Sequence, residues 1–270
     1  MIDRRWRARG RFACALAVCG VLLWASPAAA QWQFALGTGL RQARMTETDL
    51  AGQPLVREQG LLPGLFGSAS YTLDGWLLSG RAETFARSLD YHGQLQSGAA
   101  YASTTDTVQQ RYSVTLTRAL GSASNLLGGL EWDRWRRRIR GRDAVAGLTE
   151  HYRSWRLLAG AQTQLLQLPM ASLDGGAMLV LAQPERLRVG FDQQLYDEAS
   201  LNTRWARGLR LALTLRPASL AGLSVTAELD TLTIARSEAA TLLKNGAPAG
   251  SVLQPRHARR TFELRAAYAF

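Results

Sequence analysis

Apolar and polar residues alternate along most of the chain after residue 30, most clearly at its C-terminus. Residues 262–270 read FELRAAYAF, in which apolar Phe262, Leu264 and Tyr268 are separated by charged or small residues. A period of two places successive side chains on opposite faces of a β-strand. The segment 32–41 repeats this alternation. The pattern therefore predicts strands with one apolar face and one small or polar face.

About ten such strands can be placed, although a count of eight or twelve also fits the pattern. Asp74-Gly75 suits the φ > 0 turn of a tight hairpin, and Pro184 interrupts the seventh strand. Polar loops are predicted at 47–60, at 91–104 and near 197–202, with a long link at 238–255. The predicted strands cover residues 32–46, 61–72, 76–87, 105–118, 125–140, 149–167, 174–196, 203–216, 223–237 and 256–270.

The first thirty residues carry a separate signal. Five arginines precede an apolar run over residues 12–24, and an Ala28-x-Ala30 site follows it. A basic segment, a short apolar core and small residues at the end describe a secretory signal peptide, cleaved before Gln31. The run is too short to cross a bilayer as a helix. The sequence therefore predicts a cleaved signal peptide over 1–30 and a single barrel domain over 31–270.

The C-terminal strand ends on an aromatic residue, Phe270. An apolar strand face with a terminal aromatic residue resembles the C-terminal signature of bacterial outer-membrane β-barrels. The resemblance is to a class of protein. It implies an all-β, antiparallel, up-and-down transmembrane β-barrel that lies in the bacterial outer membrane. It also implies assembly by the barrel-assembly machinery through the C-terminal strand.

The predicted connections between strands alternate between short and long, which also favours the membrane barrel. Predicted links after strands two, four, six and eight are short, whereas those after one, three, five and nine are longer or more polar. This asymmetry is typical of periplasmic turns and extracellular loops. Alternation alone would also fit a soluble β-sandwich or a lipocalin-like barrel with an apolar core. The signal segment, terminal Phe270 and loop asymmetry favour the membrane barrel.

Charge and cysteine content limit the function classes. The formal net charge is +11, and loss of residues 1–30 would leave +7, almost all of it arginine. No basic run with interleaved aromatic residues indicates a nucleic-acid partner. Outer-membrane lipid and anionic lipopolysaccharide are the expected neighbours. Both cysteines, Cys14 and Cys19, lie in the predicted signal, so thiol chemistry is not expected in the mature chain.

Aromatic residues on the apolar faces fall near the predicted strand ends. Amphipathic rings favour the level of the lipid headgroups, where an apolar body meets a polar edge. These residues therefore predict two aromatic girdles, one on each side of a membrane. The predicted girdle residues are Trp32, Trp76, Trp132, Trp155, Trp205, Tyr268 and Phe270.

The opposite strand faces carry charges of both signs. If the apolar faces contact lipid, these charges line the lumen, where an unpaired charge would be costly and arginines should pair with carboxylates. A structural plug of ion pairs is the interpretation we adopt, and a charged constriction in a narrow pore is the alternative. The predicted lumen residues are Arg41, Arg81, Glu83, Arg87, Arg111, Glu131, Asp133, Arg210, Glu228, Asp230, Glu263 and Arg265.

Candidate catalytic chemistry is limited to one short motif. Asp90 and His92 form a D-x-H pair that is similar to the Asp and His spacing of omptins, ten-stranded outer-membrane proteases. Omptins carry a second acidic pair across the barrel mouth, and no such pair is recognisable here. A solvated rim pair is therefore the interpretation we adopt. No metal-ligand spacing and no phosphate-binding glycine motif appears, so no metal or cofactor is predicted.

Three hypotheses follow. The first is a non-enzymatic barrel that acts through its extracellular loops or as an envelope component. The second is a narrow channel for small solutes. The third is a rim-located enzyme, either an omptin-like protease that would use Asp90 and His92 or a lipid A-modifying enzyme.

Overall fold

The computed structural model describes residues 31–95 and 98–270, and the predicted signal segment 1–30 lies outside the described residues. In this part the regular structure is β-strand, apart from one 3-10 turn at Asp192–Gln194. No helix among these residues is long and apolar enough to cross a membrane. The strands are β1 (Gln31–Thr48), β2 (Pro54–Leu73), β3 (Trp76–Gln94), β4 (Ala100–Ala119), β5 (Ser124–Ile139), β6 (Leu148–Leu168), β7 (Ala171–Ala182), β8 (Arg186–Phe191), β9 (Ala199–Asn202), β10 (Ala206–Pro217), β11 (Leu223–Ile234), β12 (Ala240–Lys244), β13 (Ala247–Val252) and β14 (Arg256–Ala269).

Ten antiparallel strands close into one barrel, as the alternation predicts. The closing pair joins β1 to β14, with Ala35 opposite Ala269. Strands β7 and β8 are two halves of one barrel strand, because both pair with β6. Strands β9 and β10 are likewise two halves of the next, since β9 pairs with β8 and β10 with β7. Closure leaves the sheet without a free edge, except at β9, which forms a ladder only with β8.

The two ends of the barrel differ in their connections. One end, here called the turn end, carries short links at 74–75, 120–123, 169–170 and 218–222. The other, the loop end, carries the extended strand halves β8 and β9 and the hairpin of β12 and β13. The chain enters and leaves the barrel at the turn end, where the Phe270 N–H donates to the Phe34 carbonyl at 2.9 Å.

The strands reach further at the loop end than the sequence predicts. β1 runs to Thr48 and β2 begins at Pro54, so the loop predicted at 47–60 is mostly strand. The loop predicted at 91–104 is likewise mostly strand, because β3 runs to Gln94 and β4 begins at Ala100. The link predicted at 238–255 contains a hairpin. The loop predicted near 197–202 contains β9. Polar residues occupy the outer face of these extensions, so an alternation of apolar residues no longer marks them.

The outward side chains form an apolar band in the turn-end half of the barrel. On β10, Leu209, Leu211 and Leu213 are 40 to 48% exposed, and Arg207 follows them toward the loop end. The other strands make a similar change from apolar to polar residues on the outer face: Leu40 to Gln42, Trp132 to Arg134, Trp155 to Arg153 and Phe262 to Arg260. A continuous exposed apolar band is the pattern of a lipid-facing surface.

Inward apolar side chains pack together in the loop-end half. Leu242 of the β12–β13 hairpin belongs to this cluster, so the hairpin packs onto the barrel interior. We call the cluster the upper core; its buried members are Met45, Trp135, Tyr152, Leu187, Val189, Ala199, Leu201 and Leu242.

Candidate functional site

Ion pairs cross the lumen below the upper core. Nearly every barrel strand contributes an inward arginine or carboxylate, because the polar face of the alternation points to the barrel axis. We call this set the lumen network; it comprises Arg41, Glu83, Arg111, Glu131, Asp133, Arg156, Glu185, Arg210, Glu228, Asp230, His257, Arg259, Glu263 and Arg265, all buried.

Arg41 of β1 is fully buried and holds one side of the lumen network. Its Nη2 lies 2.6 Å from Glu263 Oε2, and it also pairs with Glu83. Its guanidinium lies 3.9 Å from the centre of the Phe85 ring. That ring fits against β2 because residue 64 is glycine: a Cβ there would lie 2.3 Å from Phe85 Cδ1. A glycine on one strand thus makes room for the ring that supports a charge on another.

Arg111 and Arg210 continue the network across the lumen. Arg111 Nε lies 3.2 Å from Glu83 Oε1, and its Nη1 lies 3.7 Å from Asp230 Oδ2. Arg210 donates to Asp230 at 2.8 Å from Nε and to Glu131 at 2.9 Å from Nη1. Charge-assisted hydrogen bonds of this kind are stronger than neutral ones, and they hold both side chains in a defined orientation.

Arg156 and Arg259 extend the network toward the loop end. Arg156 lies 3.2 Å from Glu131 and 2.8 Å from Asp133. Arg259 lies 3.3 Å from Asp133 and 2.9 Å from Glu185. The arginines and carboxylates therefore alternate in an unbroken chain from Arg41 to Glu185.

Glu185 lies in the short link between β7 and β8, above the apolar band. Its Oε2 is 3.1 Å from His257 Nε2. Burial by itself would raise the pKa of Glu185, but the charge of Arg259 and the hydrogen bond and charge of His257 lower it to about 2. Glu185 is therefore an anion at neutral pH. Its partners hold it in place as a structural counter-ion.

A second polar cluster lies at the loop end, around Arg137. The guanidinium lies 2.8 Å from Glu58, 2.5 Å from Glu150 and 3.6 Å from Glu47. Tyr152 donates to Glu150 at 2.9 Å. We call these residues the mouth cluster. With the upper core, it fills the barrel interior above the lumen network.

The space left between these layers is small. A cavity of about 30 Å³ is lined by residues of the lumen network and the upper core, among them Asp133, Trp135, Arg156 and Arg259. A volume of this size is large enough to hold bound water. The Nε atoms of Arg156 and Arg259 and Nε1 of Trp135 make no hydrogen bond to another described residue, so the cavity lining suits a water.

The arrangement of strands has counterparts among solved structures. The OmpT outer membrane protease from Escherichia coli is similar over 89% of this chain and 96% of that chain, with a TM-score of 0.58 and 9% identity. The fold is that of an outer-membrane β-barrel. The translocator domain of the autotransporter NalP from Neisseria meningitidis aligns with a TM-score of 0.46 and 13% identity, over 89% of each chain. No protein-family model and no curated protein matches the sequence.

Most predicted lumen residues of this barrel belong to the lumen network. Arg81 is partly buried nearby, with its guanidinium 5.6 Å from the Phe66 ring. Arg87 differs: it is exposed rather than in the lumen. The β2–β3 ladder has no paired residues between Gly64 opposite Phe85 and Gln59 opposite Asp90. Pro63 lies in this gap and has no N–H to donate, so β3 is not held against β2 beside Arg87.

The predicted girdle residues all lie on the outer face. Trp132 and Trp155 stand opposite each other on β5 and β6, with ring centroids 4.7 Å apart. At the turn end, Trp32 contacts Tyr71 with centroids 4.9 Å apart. The remaining predicted girdle residues, Trp76, Trp205, Tyr268 and Phe270, are exposed.

Asp90 and His92 lie on the outer face of β3 near the loop end, and both are exposed. They stand opposite Gln59 and Arg57 of β2. The intervening Tyr91 faces inward, so the D-x-H pair points away from the lumen and the mouth cluster. This placement matches two solvated rim residues. Among the described residues no cluster of histidine, cysteine or carboxylates could hold a metal ion.

Several residues of the lumen network and the mouth cluster are absent from the predicted lumen residues. Arg156 and Arg259 fall on inward positions of predicted strands, one residue from outward Trp155 and Arg260, so the period-two pattern could have identified them. Glu47 and Glu58 fall in a segment predicted as loop. His257 lies near the loop end of the last predicted strand, yet it is buried in the lumen with 1% exposure.

Proposed function

We propose that this protein is an integral outer-membrane barrel with a closed lumen, which acts through its extracellular loop end or as an envelope component and not as an enzyme. One observation carries the proposal: the lumen network and the upper core fill the interior and leave a cavity of about 30 Å³. A path for a hydrated solute would require several of these buried ion pairs to separate.

The membrane location is supported by the outer face. The apolar band, the aromatic residues at its borders and the fold all fit a barrel in lipid. The predicted signal over 1–30 and the terminal Phe270 fit export and recognition by the barrel-assembly machinery. Outer-membrane lipid and lipopolysaccharide are then the surroundings, and the loop end faces the cell exterior.

Planar-bilayer recording tests the closed lumen. Purified, folded protein is expected to give no stable conductance steps under conditions in which a general porin gives them. Stable steps that change in Arg111→Ala and not in Arg134→Gln, which alters an exposed arginine outside the lumen, would replace this proposal with the narrow channel.

Fractionation tests the location. An epitope-tagged chain is expected in the outer membrane, and loop-end residues such as Leu50 are expected to accept an inserted tag that is accessible on intact cells. Recovery from the soluble periplasmic fraction would reject the membrane barrel.

A further inference from the structure

A group of basic side chains lies on the outer face of β5, β6 and β8. Arg134 stands opposite Arg153, and Arg153 opposite Arg186, in one row across the three strands. The next row toward the loop end consists of Arg136, His151 and Arg188. We call these six residues the outer arginine patch.

Like charges that stand directly opposite each other in a sheet repel. Among the described residues, Glu198 is the carboxylate within reach of the patch, at 4.0 Å from Arg188. The nearest carboxylate of β4, Asp106, is paired with Arg140 at 2.8 Å. Burial and the charges of Arg136 and Arg153 lower the pKa of His151, as expected in a positive environment.

The inward arginines of the same strands provide the contrast. Arg137 follows Arg136 on β5, and Arg156 lies three residues after Arg153 on β6. Both inward arginines are buried and paired with carboxylates. The chain therefore supplies counter-ions for its inward arginines and almost none for the outer arginine patch. An anion from outside the chain would relieve the repulsion within the patch.

The position of the patch indicates the kind of anion. Its first row comes directly after Trp132 and Trp155, the last apolar pair on the outer face of these strands. A lipid whose acyl chains lie along the apolar band would present its headgroup at this level. Arginine is well suited to phosphate, because its planar guanidinium donates two parallel hydrogen bonds.

We propose that the outer arginine patch binds the phosphate groups of a phosphorylated glycolipid of the outer leaflet, the lipid A part of lipopolysaccharide. This inference rests on the proposed outer-membrane location. Arg134, Arg153 and Arg186 contact the phosphates nearest the bilayer, and Arg136 and Arg188 contact charges further out. The apolar residues below Trp132 and Trp155 contact the acyl chains.

The test is binding of lipid A to the folded barrel in neutral detergent micelles, followed by native mass spectrometry and by fluorescence titration. Bis-phosphorylated lipid A is expected to bind, and its dephosphorylated form to bind at least about tenfold more weakly, since charge-assisted hydrogen bonds carry the contact. Added salt is expected to weaken binding of the phosphorylated form.

Variants locate the site. Arg134→Gln/Arg153→Gln/Arg186→Gln is expected to weaken lipid A binding at least about tenfold. The matched control alters three exposed arginines elsewhere, Arg118→Gln/Arg142→Gln/Arg216→Gln, and is expected to bind within about twofold of the parent chain. Folding of each variant is checked by the mobility of unboiled protein on a gel.

Equal binding of the two lipid A forms by the parent chain would overturn the inference without any variant. So would equal loss in the two triple variants. Inorganic phosphate that competes at the same concentration as lipid A would assign the patch to free phosphate instead. A barrel that fractionates with the outer membrane but fails these tests would reject the patch and leave the proposed location intact.

Discussion

At the scale of single residues, the interior of this barrel depends on matched charges. Arg41 is fully buried and depends on Glu263 and Glu83 for its counter-charge. Removal of one partner from a buried pair costs far more than the pair itself contributes, because the remaining charge stays in a poorly hydrated site. The lumen network is therefore sensitive to single substitutions although its net contribution to stability is modest.

Arg41→Met is expected to lower the free energy of unfolding by about 3 to 5 kcal/mol, because it leaves Glu263 and Glu83 with too little positive charge. Urea unfolding in detergent, followed by tryptophan fluorescence, measures the change. The control is Arg44→Met on the exposed face of the same strand, which is expected to change stability by less than about 0.5 kcal/mol. Equal stabilities for the two variants would contradict the role given to the network.

At the scale of elements, period-two alternation holds within each strand but changes phase at the breaks. Ala182 of β7 faces inward, and so does Glu185 three residues later, with Pro184 between them. An odd spacing between two inward residues means that one extra residue has been inserted, as in a bulge. The phase change brings Glu185 into the lumen beside His257.

The outer face of β10 provides a direct test of the lipid-facing assignment. Leu211 lies in the middle of the outward leucines of this strand and is 41% exposed. Leu211→Arg is expected to destabilise the barrel in a bilayer by about 2 to 4 kcal/mol and to reduce assembly, because it places a charge near the membrane midplane. The yield of folded protein in the outer membrane measures this effect.

The matched control is Leu50→Arg, in the turn between β1 and β2, where the leucine is 82% exposed outside the band. This variant is expected to assemble normally, since its arginine remains in water. An unchanged yield for Leu211→Arg would mean that the assigned inner and outer faces are inverted.

At the scale of the whole molecule, closure links every barrel strand to two neighbours. The β1–β14 ladder extends from Ala35 opposite Ala269 to Thr48 opposite Arg256, so the seam is paired over nearly the full length of β14. Along this seam detergent finds no free edge from which to open the sheet. Unfolding therefore requires many hydrogen bonds to break together.

Membrane-extracted protein is expected to migrate differently on a detergent gel before and after boiling, because the closed barrel survives in detergent until it is heated. Arg44→Met and Leu50→Arg should retain this shift. Identical mobility before and after boiling, for protein found in the periplasmic fraction, would make the apolar faces the core of a soluble protein.

The sequence by itself determined the strand faces and most of the charged residues of the lumen, and it favoured about ten strands without excluding eight or twelve. The outer face is identified by Phe262, Leu264 and the leucines of β10, because lipid contact requires an apolar residue at every second position. The same period of two predicts that the side chains of Arg41, Glu83 and Arg210 point inward.

Only the tertiary structure decided which charges meet. Arg41 and Glu263 come from opposite ends of the chain, and their contact depends on the register of the closing ladder. The loop-end extensions, the phase change at Pro184 and the burial of His257 also required the structure. The physical reason is that beyond the apolar band the outer strand faces are polar and the inward faces combine the apolar upper core with the charged mouth cluster, so lipid contact no longer imposes a simple pattern on the sequence.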